Sequence, residues 1–503
     1  MSPGPTAGRR LVLAVDCSTT AAKVVAHDGE RIVAQAARPL TTSSPRASWH
    51  EQDAISWWTA TRDALAEVVA GLADPADVAA LCLTHQRESF VCLDADGRPL
   101  RPAILWLDAR AHAEIAALGS PRVHDLSGKP PDTTPAIYKL AWLARHEPAV
   151  LAAATKVGDV HAYLAWRLTG RWATAEGSGD TLGLLDLRSR TWAPELLALA
   201  GVRADQLPAL VPAGELVGRL DAGVAAELGL PAGVPFVAGI GDGQAAGLAL
   251  GFTDRTAYLN LGTSMVLGVE SSTYVWDPAF RTLAGPRPGT YVLETVLNAA
   301  AYVASWCREQ FGGEPGGADL AALEASAARV PPGSEGLLTL PYWNAAQTPY
   351  WDPLARGAVV GWHGRHTPAH LYRSILEGVA FELRLHLERL EAATGTPVTA
   401  IRAVGGGARS RLWVQIVADV TGRPVRVCSD GEVSAEGAAL LGWRWLDRGA
   451  ADDGTWRGVV PAGHDVVPGP DAERYGAIAA VQARLYPQLR DVFADLARIR
   501  ETD

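Results

Sequence analysis

Two aspartates stand where a carboxylate could act on a bound ligand. Asp16 ends an apolar run of strand length and precedes a turn of small and hydroxyl residues, where it could hold a magnesium ion through water. Asp242 follows a second apolar run, in a turn lined by Gly241 and Gly243 and ahead of a small-residue helical segment. It could take a proton from a hydroxyl as a general base, although aspartate at this position also caps helices routinely. The local sequence leaves both interpretations open.

Two turns could cradle an anionic phosphate chain. The first joins two apolar runs as a β-hairpin and carries three hydroxyl residues and a basic one: Ser18, Thr19, Thr20 and Lys23. Backbone N–H groups and hydroxyls at such a tip suit phosphate oxygens. The hairpin at residues 256–269 repeats the pattern, with Gly262, Thr263 and Ser264 at its turn. An ordinary polar turn would explain the first hairpin alone. One hairpin opening each half suggests an internal duplication that grips phosphates from both sides.

A polar cluster could bind the hydroxyls of a substrate. Gln86, Arg87 and Glu88 directly follow a predicted buried strand at residues 79–84, and ligands of α/β folds bind at the carboxyl ends of strands. The three side chains supply donors and acceptors that suit neighbouring hydroxyls. The alternative is a local ion pair between Arg87 and Glu88 on a rim, which would contribute little.

Three further places supply candidate ligand contacts. Trp106 follows an apolar strand and could form a wall behind the carbon chain of a sugar, with a role in the core as the alternative. Gln244, two residues beyond Asp242, is assigned to the same predicted pocket. Residues 405–410 read Gly-Gly-Gly-Ala-Arg-Ser between a strand and a helix, so a flat base or a phosphate could lie on bare backbone. The triplet is neither a Walker A loop nor a dinucleotide fingerprint.

The elements that must position these residues follow from hydrophobic periodicity and from helix start and stop signals. A third antiparallel strand is predicted at residues 31–38, and a helix with Asp53 as its N-cap runs to about residue 70 with Trp57 in the core. Residues 125–134 are expected to be a loop. A small-residue helix at residues 432–442 is expected to pack beneath the glycine-rich turn, and a final amphipathic helix is expected over residues 471–499.

Composition and charge restrict the function classes. A chain of 503 residues is too long for one core, so two domains are expected. The net charge of −10 without a basic run argues against a nucleic-acid partner. The polar leader has no signal-peptide h-region, and no apolar run approaches the roughly 20 residues of a membrane helix. Five scattered cysteines fit reduced thiols. We expect a cytoplasmic protein without a membrane partner. A homodimer is a possible assembly.

With these pieces in order, the chain resembles the FGGY carbohydrate kinases of the actin/hexokinase-like ATPase superfamily over residues 11–449. The matching segments are Asp16-Cys-Ser-Thr-Thr, Trp49-His-Glu-Gln-Asp with Trp57-Trp58, Gln86-Arg-Glu, Arg101-Pro-Ala-Ile-Leu-Trp, Gly241-Asp242, Gly262-Thr263, and Gly405-Gly-Gly-Ala-Arg-Ser with Trp413 and Gln415. No single segment is specific, but the order of all seven is.

The resemblance implies an α/β fold of two ribonuclease-H-like domains of the actin/hexokinase ATPase type, with an active-site cleft between them. Residues 1–252 would bind the sugar, and residues 253–503 would bind ATP and end in a packing helix. The implied ATP contacts are Ser18, Thr19, Thr20, Lys23, Gly262 and Thr263 at the phosphates, and Gly406, Gly407 and Ala408 at the adenine. Asp16 would contact Mg²⁺, and Asp242 would take the proton from the substrate hydroxyl.

The substrate motifs are mixed. Gln86-Arg87-Glu88 is similar to the glycerol kinase pocket, whereas residues 49–53, 100–106 and 405–410 are more similar to xylulokinases. Glycerol kinases differ at the positions of Thr134 and Gly243, and xylulokinases usually carry Met-His after the glutamine. We expect ATP-dependent phosphorylation of a terminal hydroxyl of a pentulose such as xylulose, or of a related C4–C5 sugar or polyol. A glycerol- or erythritol-type polyol kinase is the alternative. An actin-like nucleotide-dependent switch or structural protein is the alternative from another class.

Overall fold

The structure is a computed structural model, and it describes residues 10–311, 319–429, 431–448 and 462–500. Strands and helices alternate around two large mixed sheets, one in each half of the chain. This confirms the predicted α/β fold with two similar halves. Within these residue ranges, no helix is long and apolar enough to cross a lipid bilayer.

The first half contains fourteen strands and ten α-helices. Its strands are β1 (Leu11–Cys17), β2 (Ala21–His27), β3 (Ile32–Pro39), β4 (Glu51–Gln52), β5 (Val78–His85), β6 (Phe90–Leu93), β7 (Ala103–Ile104), β8 (Lys156–Asp159), β9 (Ala173–Ala175), β10 (Leu185–Asp186), β11 (Thr191–Trp192), β12 (Ala209–Val211), β13 (Leu216–Arg219) and β14 (Pro235–Gly241). Its helices are α1 (Ala54–Ala70), α2 (His112–Leu118), α3 (Pro121–Ser127), α4 (Ala136–His146), α5 (Pro148–Ala153), α6 (Val160–Thr169), α7 (Glu176–Gly179), α8 (Pro194–Ala200), α9 (Ala222–Leu228) and α10 (Asp242–Ala249).

The described part of the second half contains nine strands and seven α-helices. Its strands are β15 (Thr256–Leu261), β16 (Met265–Ser271), β17 (Arg281–Ala284), β18 (Tyr291–Leu297), β19 (Leu338–Leu340), β20 (Ala358–Val360), β21 (Ala400–Val404), β22 (Val425–Cys428) and β23 (Gly463–Val466). Its helices are α11 (Ala301–Phe311), α12 (Asp319–Arg329), α13 (Pro368–Thr394), α14 (Arg411–Thr421), α15 (Val433–Leu446), α16 (Ala472–Gln482) and α17 (Leu485–Arg500).

The two large sheets repeat one strand order. The first runs β13-β14-β5-β1-β2-β3 and the second runs β17-β18-β16-β15-β21-β22-β23. In each, a leading hairpin pairs with a third antiparallel strand on one side and with two parallel strands on the other. The repeat is what the predicted internal duplication requires. It also brings the carboxyl ends of β1, β5 and β14, and of β15 and β21, to the edges where ligands bind in such folds.

The local predictions around the first sheet are confirmed. The third antiparallel strand is β3, and α1 begins after Asp53, whose side chain accepts the N–H of Ile55. Trp57 is fully buried, and its Nε1 donates to Oε1 of Gln52 at 2.6 Å. A buried indole with a satisfied N–H is a stable core element, so α1 is fixed to the sheet that carries the first hairpin.

Two sequence-based expectations are wrong in detail. Residues 125–134 are not all loop, because Pro121 starts α3 after the capping hydroxyl of Ser120, and the helix runs on to Ser127. Residues 471–499 form two helices, α16 and α17. Proline lacks a backbone N–H and clashes inside a helix, so Pro487 lies in the first turn of a new helix.

Helix α15 belongs to the second half in sequence but packs on the first sheet. The predicted helix at residues 432–442 exists, yet it lies against β1, β5 and α10. Gly437 contacts the backbone carbonyl of Ala245 in α10, and Gly442 lies against Val12 in β1. Side chains at these two glycines would keep the elements apart, so the small residues permit a close junction between the halves.

Candidate active site

A cavity of about 220 Å³ lies between the two halves. The first half lines it with four predicted site residues and Thr134: Arg87, Glu88, Trp106 and Asp242. The second half contributes Asn260 and Ser264 from the second hairpin, together with Arg281 and Gln347. Side chains that could hold a hydroxyl compound therefore share one space with the second predicted phosphate turn.

Asp242 presents its carboxylate to the cavity. It is the first residue of α10, and Gly241 occupies the cap position, so the interpretation of Asp242 as an N-cap is wrong. Its Oδ1 accepts the N–H of Gly243 at 2.8 Å and lies 3.1 Å from Nε of Arg87. The side chain remains 38% exposed. The ion pair fixes the orientation of the carboxylate while leaving it open to a ligand.

Arg87 and Glu88 find their partners across the cleft and not in each other. Nη1 of Arg87 donates to both carboxylate oxygens of Glu294 in β18, at 3.1 and 3.2 Å. Oε1 of Glu88 accepts from Nη1 of Arg281 in β17 at 3.1 Å. The alternative of a local Arg87–Glu88 ion pair is therefore wrong. Both side chains are buried, where charge pairs are much stronger than on a solvated rim.

Glu294 is the centre of this network and was not found from the sequence. Its carboxylate accepts from Arg87, from Nε of Arg281 at 2.7 Å and from the hydroxyl of Tyr258. Burial raises the pKa of Glu294, but the guanidinium groups of Arg281 and Arg87 outweigh it and lower the pKa to about 2. A glutamate in a strand that otherwise carries only one other polar residue, Thr295, was the available signal, since a buried charge requires a partner.

Glu88 adopts a backbone conformation that side chains rarely take. Its φ is +66°, in the left-handed region that costs energy for residues other than glycine. Its N–H donates to Oγ1 of Thr181 at 3.2 Å, and Arg281 holds its carboxylate. Two contacts thus maintain a conformation that points this carboxylate into the cavity.

Gln86 and Gln244 support the cavity without lining it. Nε2 of Gln86 donates to the carbonyl of Ser18 and to Oε1 of Gln52, and its own Oε1 accepts from Thr19 and Ser89. Gln244 lies behind Arg87, and its Nε2 donates to two backbone carbonyls, one from each half. Both amides are buried and used within the protein. Gln86 therefore orders the first hairpin, and Gln244 orders Arg87.

Trp106 connects the cavity wall to the first hairpin. Its ring lines the cavity, and its Nε1 donates to Oγ1 of Thr19 at 2.9 Å. Its backbone N–H donates to Oγ of Ser89 at 3.1 Å. The indole is thus oriented as a wall, and not as a core residue, and it touches a turn predicted to bind phosphate.

The first hairpin places its polar residues in different surroundings. Oγ of Ser18 donates to the carbonyl of Ala21 within the turn, and Thr20 is exposed at the tip. Nζ of Lys23 pairs with Glu432 at 2.9 Å. That glutamate precedes α15 in the second half. Thr19 is committed to Trp106 and Gln86, so the exposed tip and its backbone remain the surface that a phosphate could approach.

Asp16 has the properties of a ligand for a hard cation. It is buried, and no partner for its Oδ1 is present in the described residues. Burial, together with the charge of Asp242, raises its pKa to about 7, although Lys23 opposes this. A buried carboxylate oxygen without a partner beside a second carboxylate is a donor set that Mg²⁺ prefers. The residues present therefore fit this ion.

The second hairpin and the glycine-rich turn lie side by side. The carbonyls of Gly262 and Thr263 accept backbone N–H groups at the start of α11. The Gly405 backbone has a φ of +95° and approaches Asn260 and Leu261 too closely for a side chain. Of the residues implied at the adenine, Gly406 is exposed to open space. Gly407 and Ala408 are buried.

Comparison with known proteins identifies relatives of the whole arrangement. Models of the FGGY family of carbohydrate kinases match residues 11–249 for the N-terminal domain and residues 257–445 for the C-terminal domain. The chain is 34% identical over 442 residues to the xylulose kinase of Escherichia coli (strain K12), covering 86% of this chain and 89% of that protein. It is 31% identical over 466 residues to the glycerol kinase of a Synechocystis species, covering 86% and 92%. The crystal structure of xylulose kinase from Rhodospirillum rubrum superimposes with a TM-score of 0.89 and 32% identity, covering 96% of this chain and 100% of that one.

Proposed function

The chain belongs to the FGGY family of carbohydrate kinases, and we propose that it transfers the γ-phosphate of ATP to a terminal hydroxyl of a pentulose such as xylulose. Support comes from relatives named xylulose kinase, among them those of Escherichia coli and Klebsiella pneumoniae, which are 34% and 32% identical to this chain. Relatives named glycerol kinase are present at similar identity. The choice between them therefore depends on the cavity.

One observation carries the proposal. Asp242, from the first half, lines the same cavity as Ser264, which lies in the second predicted phosphate turn. A general base and a phosphate-binding turn must face a common space if an acceptor hydroxyl is to attack a γ-phosphate in line. The cavity between the halves provides that space.

The mechanism follows from the contacts of Asp242. Its carboxylate would accept the proton of the terminal hydroxyl as that oxygen attacks the phosphate. Arg87 fixes the carboxylate through the 3.1 Å contact, and Glu294 fixes Arg87 from the opposite half. Catalysis would then depend mainly on positioning and on neutralising charge. Closure of the two halves would exclude water from the cavity.

The nucleotide and metal sites remain part of the proposal. We assign the ATP phosphates to the exposed tip of the first hairpin and to Gly262 and Thr263, and the adenine to the turn at residues 406–408. Asp16 would hold Mg²⁺, which would neutralise charge on the transferred phosphate. Residues 1–252 would form the sugar-binding domain and residues 253–503 the ATP-binding domain. Arg281 and Glu294 would support the sugar pocket from the second domain.

The charges around the cavity favour a neutral acceptor. Both cavity guanidiniums already pair with carboxylates, Arg87 with Asp242 and Glu294, and Arg281 with Glu88 and Glu294. A sugar acid would have to displace one of these carboxylates or approach them with like charge, which is unfavourable in a buried site. A ketose or polyol needs only hydrogen bonds.

A polyol kinase of the glycerol or erythritol type is the second candidate. The observation in its favour is that Arg87 and Glu88 both line the cavity, as the resemblance to glycerol kinases implies. A smaller polyol would use these two side chains and leave the wall at Trp106 in part unfilled. Binding would then be weaker than for an acceptor that covers the indole, because less apolar area is buried.

ADP release by the purified protein tests the proposal. The assay uses ATP, Mg²⁺ and a panel of xylulose, ribulose, erythritol, glycerol and gluconate. We expect turnover with a pentulose, and we expect Asp242→Asn to lower kcat by about 10²-fold or more. Turnover with glycerol or erythritol alone would select the polyol kinase. Bound ATP without turnover on any acceptor would favour the actin-like switch protein and overturn the proposal.

We also propose a cytoplasmic location. All five cysteines are buried free thiols, as expected where the surroundings keep thiols reduced. Fractionation of the native cells tests this: we expect the protein in the cytoplasmic fraction. Recovery from the periplasmic or secreted fraction would contradict the proposal. Light scattering of the purified protein would decide whether it forms the homodimer that we allow for.

A further inference from the structure

We propose that Lys139 is a positioning residue for the sugar pocket, because its buried ammonium ties together the two chain segments that carry Trp106 and Thr134. The inference deepens the proposed function and rests on it. Lys139 does not line the cavity, and it would act through the two residues that do. Its effect is therefore expected on sugar binding and not on the phosphoryl donor.

The geometry of Lys139 is specific. Its side chain is fully buried in the first turn of α4. Nζ lies 3.2 and 3.3 Å from the carbonyl oxygens of Leu105 and Trp106, and 3.1 and 2.8 Å from those of Thr133 and Thr134. Its three N–H groups are shared among these four acceptors. One ammonium group therefore joins two loops. Each loop delivers one residue to the cavity wall, so the contacts set the separation between the two residues.

Burying a lysine at this position costs free energy unless its ammonium group makes specific contacts. A buried ammonium loses its hydration, and proteins usually compensate by pairing it with a carboxylate. Lys129, the other fully buried lysine, has such a partner in Asp180 at 3.3 Å. For Lys139 the described residues provide carbonyl oxygens instead of a carboxylate within ion-pair distance. A side chain that only filled space could have been methionine.

The charges around Lys139 are consistent with this role. Burial lowers its pKa to about 8, against the opposing influence of Glu88, Asp108 and Asp132 and with a smaller contribution from Arg110. Loss of the proton above that pH removes one N–H donor and directs a lone pair at carbonyl oxygens. The loops should then separate more easily, although the folded protein as a whole gains stability, because the unfolded chain binds the proton more tightly.

Steady-state kinetics of Lys139→Met and Lys139→Gln test the inference. We expect Lys139→Met to raise the sugar KM by about tenfold or more. Lys139→Gln, which keeps two N–H donors, should have an intermediate effect. The KM for ATP should change by less than about twofold in both variants. Arg373→Met is the matched control, because it removes a buried cation that bonds Glu377 and Tyr475 in the second half; its sugar KM should stay near that of the wild type.

The outcomes separate this inference from the proposed function. If Lys139→Met folds and its sugar KM is unchanged, the inference is overturned. The proposed function would still stand, provided that the wild type phosphorylates the sugar. If the wild type turned over no sugar at all, both would fall. If Lys139→Met did not fold, the same kinetic constants would be measured on the wild type between pH of about 7 and about 9, where Lys139 loses its proton. A sugar KM that rises while the ATP KM holds and the unfolding midpoint does not fall would support the inference, and a flat sugar KM would overturn it.

Discussion

Replacement of Glu294 by glutamine should be the most informative single change in the molecule. Glutamine keeps the shape of the side chain but removes the only negative charge shared by Arg87 and Arg281 in the described network. Both guanidiniums are largely buried, so each would recover only part of its solvation from water in the cavity. Tyr258 would also lose an ionised acceptor. The change therefore acts on the core of the network without creating a cavity.

The magnitude follows from the pKa of Glu294. The surroundings lower it from 4.5 to about 2, and each pKa unit corresponds to about 1.4 kcal/mol. The ionised form is therefore favoured by about 3 kcal/mol, which is also the range for breaking a buried pair. Because the folded pKa lies below the unfolded one, the contribution is present above about pH 4.5. It is lost as the pH falls toward about 2.

Urea unfolding followed by tryptophan fluorescence would measure this loss at neutral pH. Glu294→Gln should lower the unfolding free energy by about 3 kcal/mol. It should also lower kcat/KM for the sugar by about tenfold or more, because Arg87 would no longer be fixed against Asp242. Glu195→Gln is the control, since Glu195 pairs with Arg122 on the exposed surface and should cost less than about 1 kcal/mol. Equal unfolding free energies for the two variants would refute the reasoning.

Three further changes test other parts of the structure. Asp16→Asn should lower kcat by about 10²-fold or more without lowering the thermal midpoint, since burial already disfavours the charge there; retained activity in an Mg²⁺ titration would contradict the assignment. Gly437→Ala should lower the unfolding free energy by about 2 kcal/mol, because the new methyl group would meet a carbonyl of α10. A thermal melt would measure this, with Gly364→Ala as the neutral control, because a methyl group there would point into open space. Arg281→Met should raise the sugar KM more than the ATP KM because it releases Glu88; initial rates showing equal increases would point to general loosening.

Much of the fold and part of the site could be predicted because the signals were local. Each hairpin is encoded by an apolar run, a hydroxyl turn and a second apolar run, and Asp242 stands directly after its strand. Arg87 and Glu88, which the sequence places just beyond a strand, both line the cavity. Their partners Arg281 and Glu294 could not be inferred, because the pairing depends on how β17 and β18 meet the first half.

The features that the sequence did not predict have separate physical causes. The break before α17 was visible in Pro487, which cannot lie inside a helix. The packing of α15 was not visible, since a helix of small residues can pack closely on any flat neighbour, and only the tertiary structure selects β1 and β5 over the glycine-rich turn. The supporting role of Gln86 depends on four contacts from three segments, and a single sequence does not reveal such convergence.

The position of α15 bears on how the chain is made in the cell. Val12 and its neighbours in β1 are covered by Gly442 and the rest of α15, a helix that is synthesised long after β1. At translation rates of about 5–20 residues per second, that apolar face would wait tens of seconds for its cover. The first half is therefore an incomplete folding unit during synthesis, and a fragment ending before residue 433 should aggregate or engage chaperones instead of forming a separate sugar-binding protein.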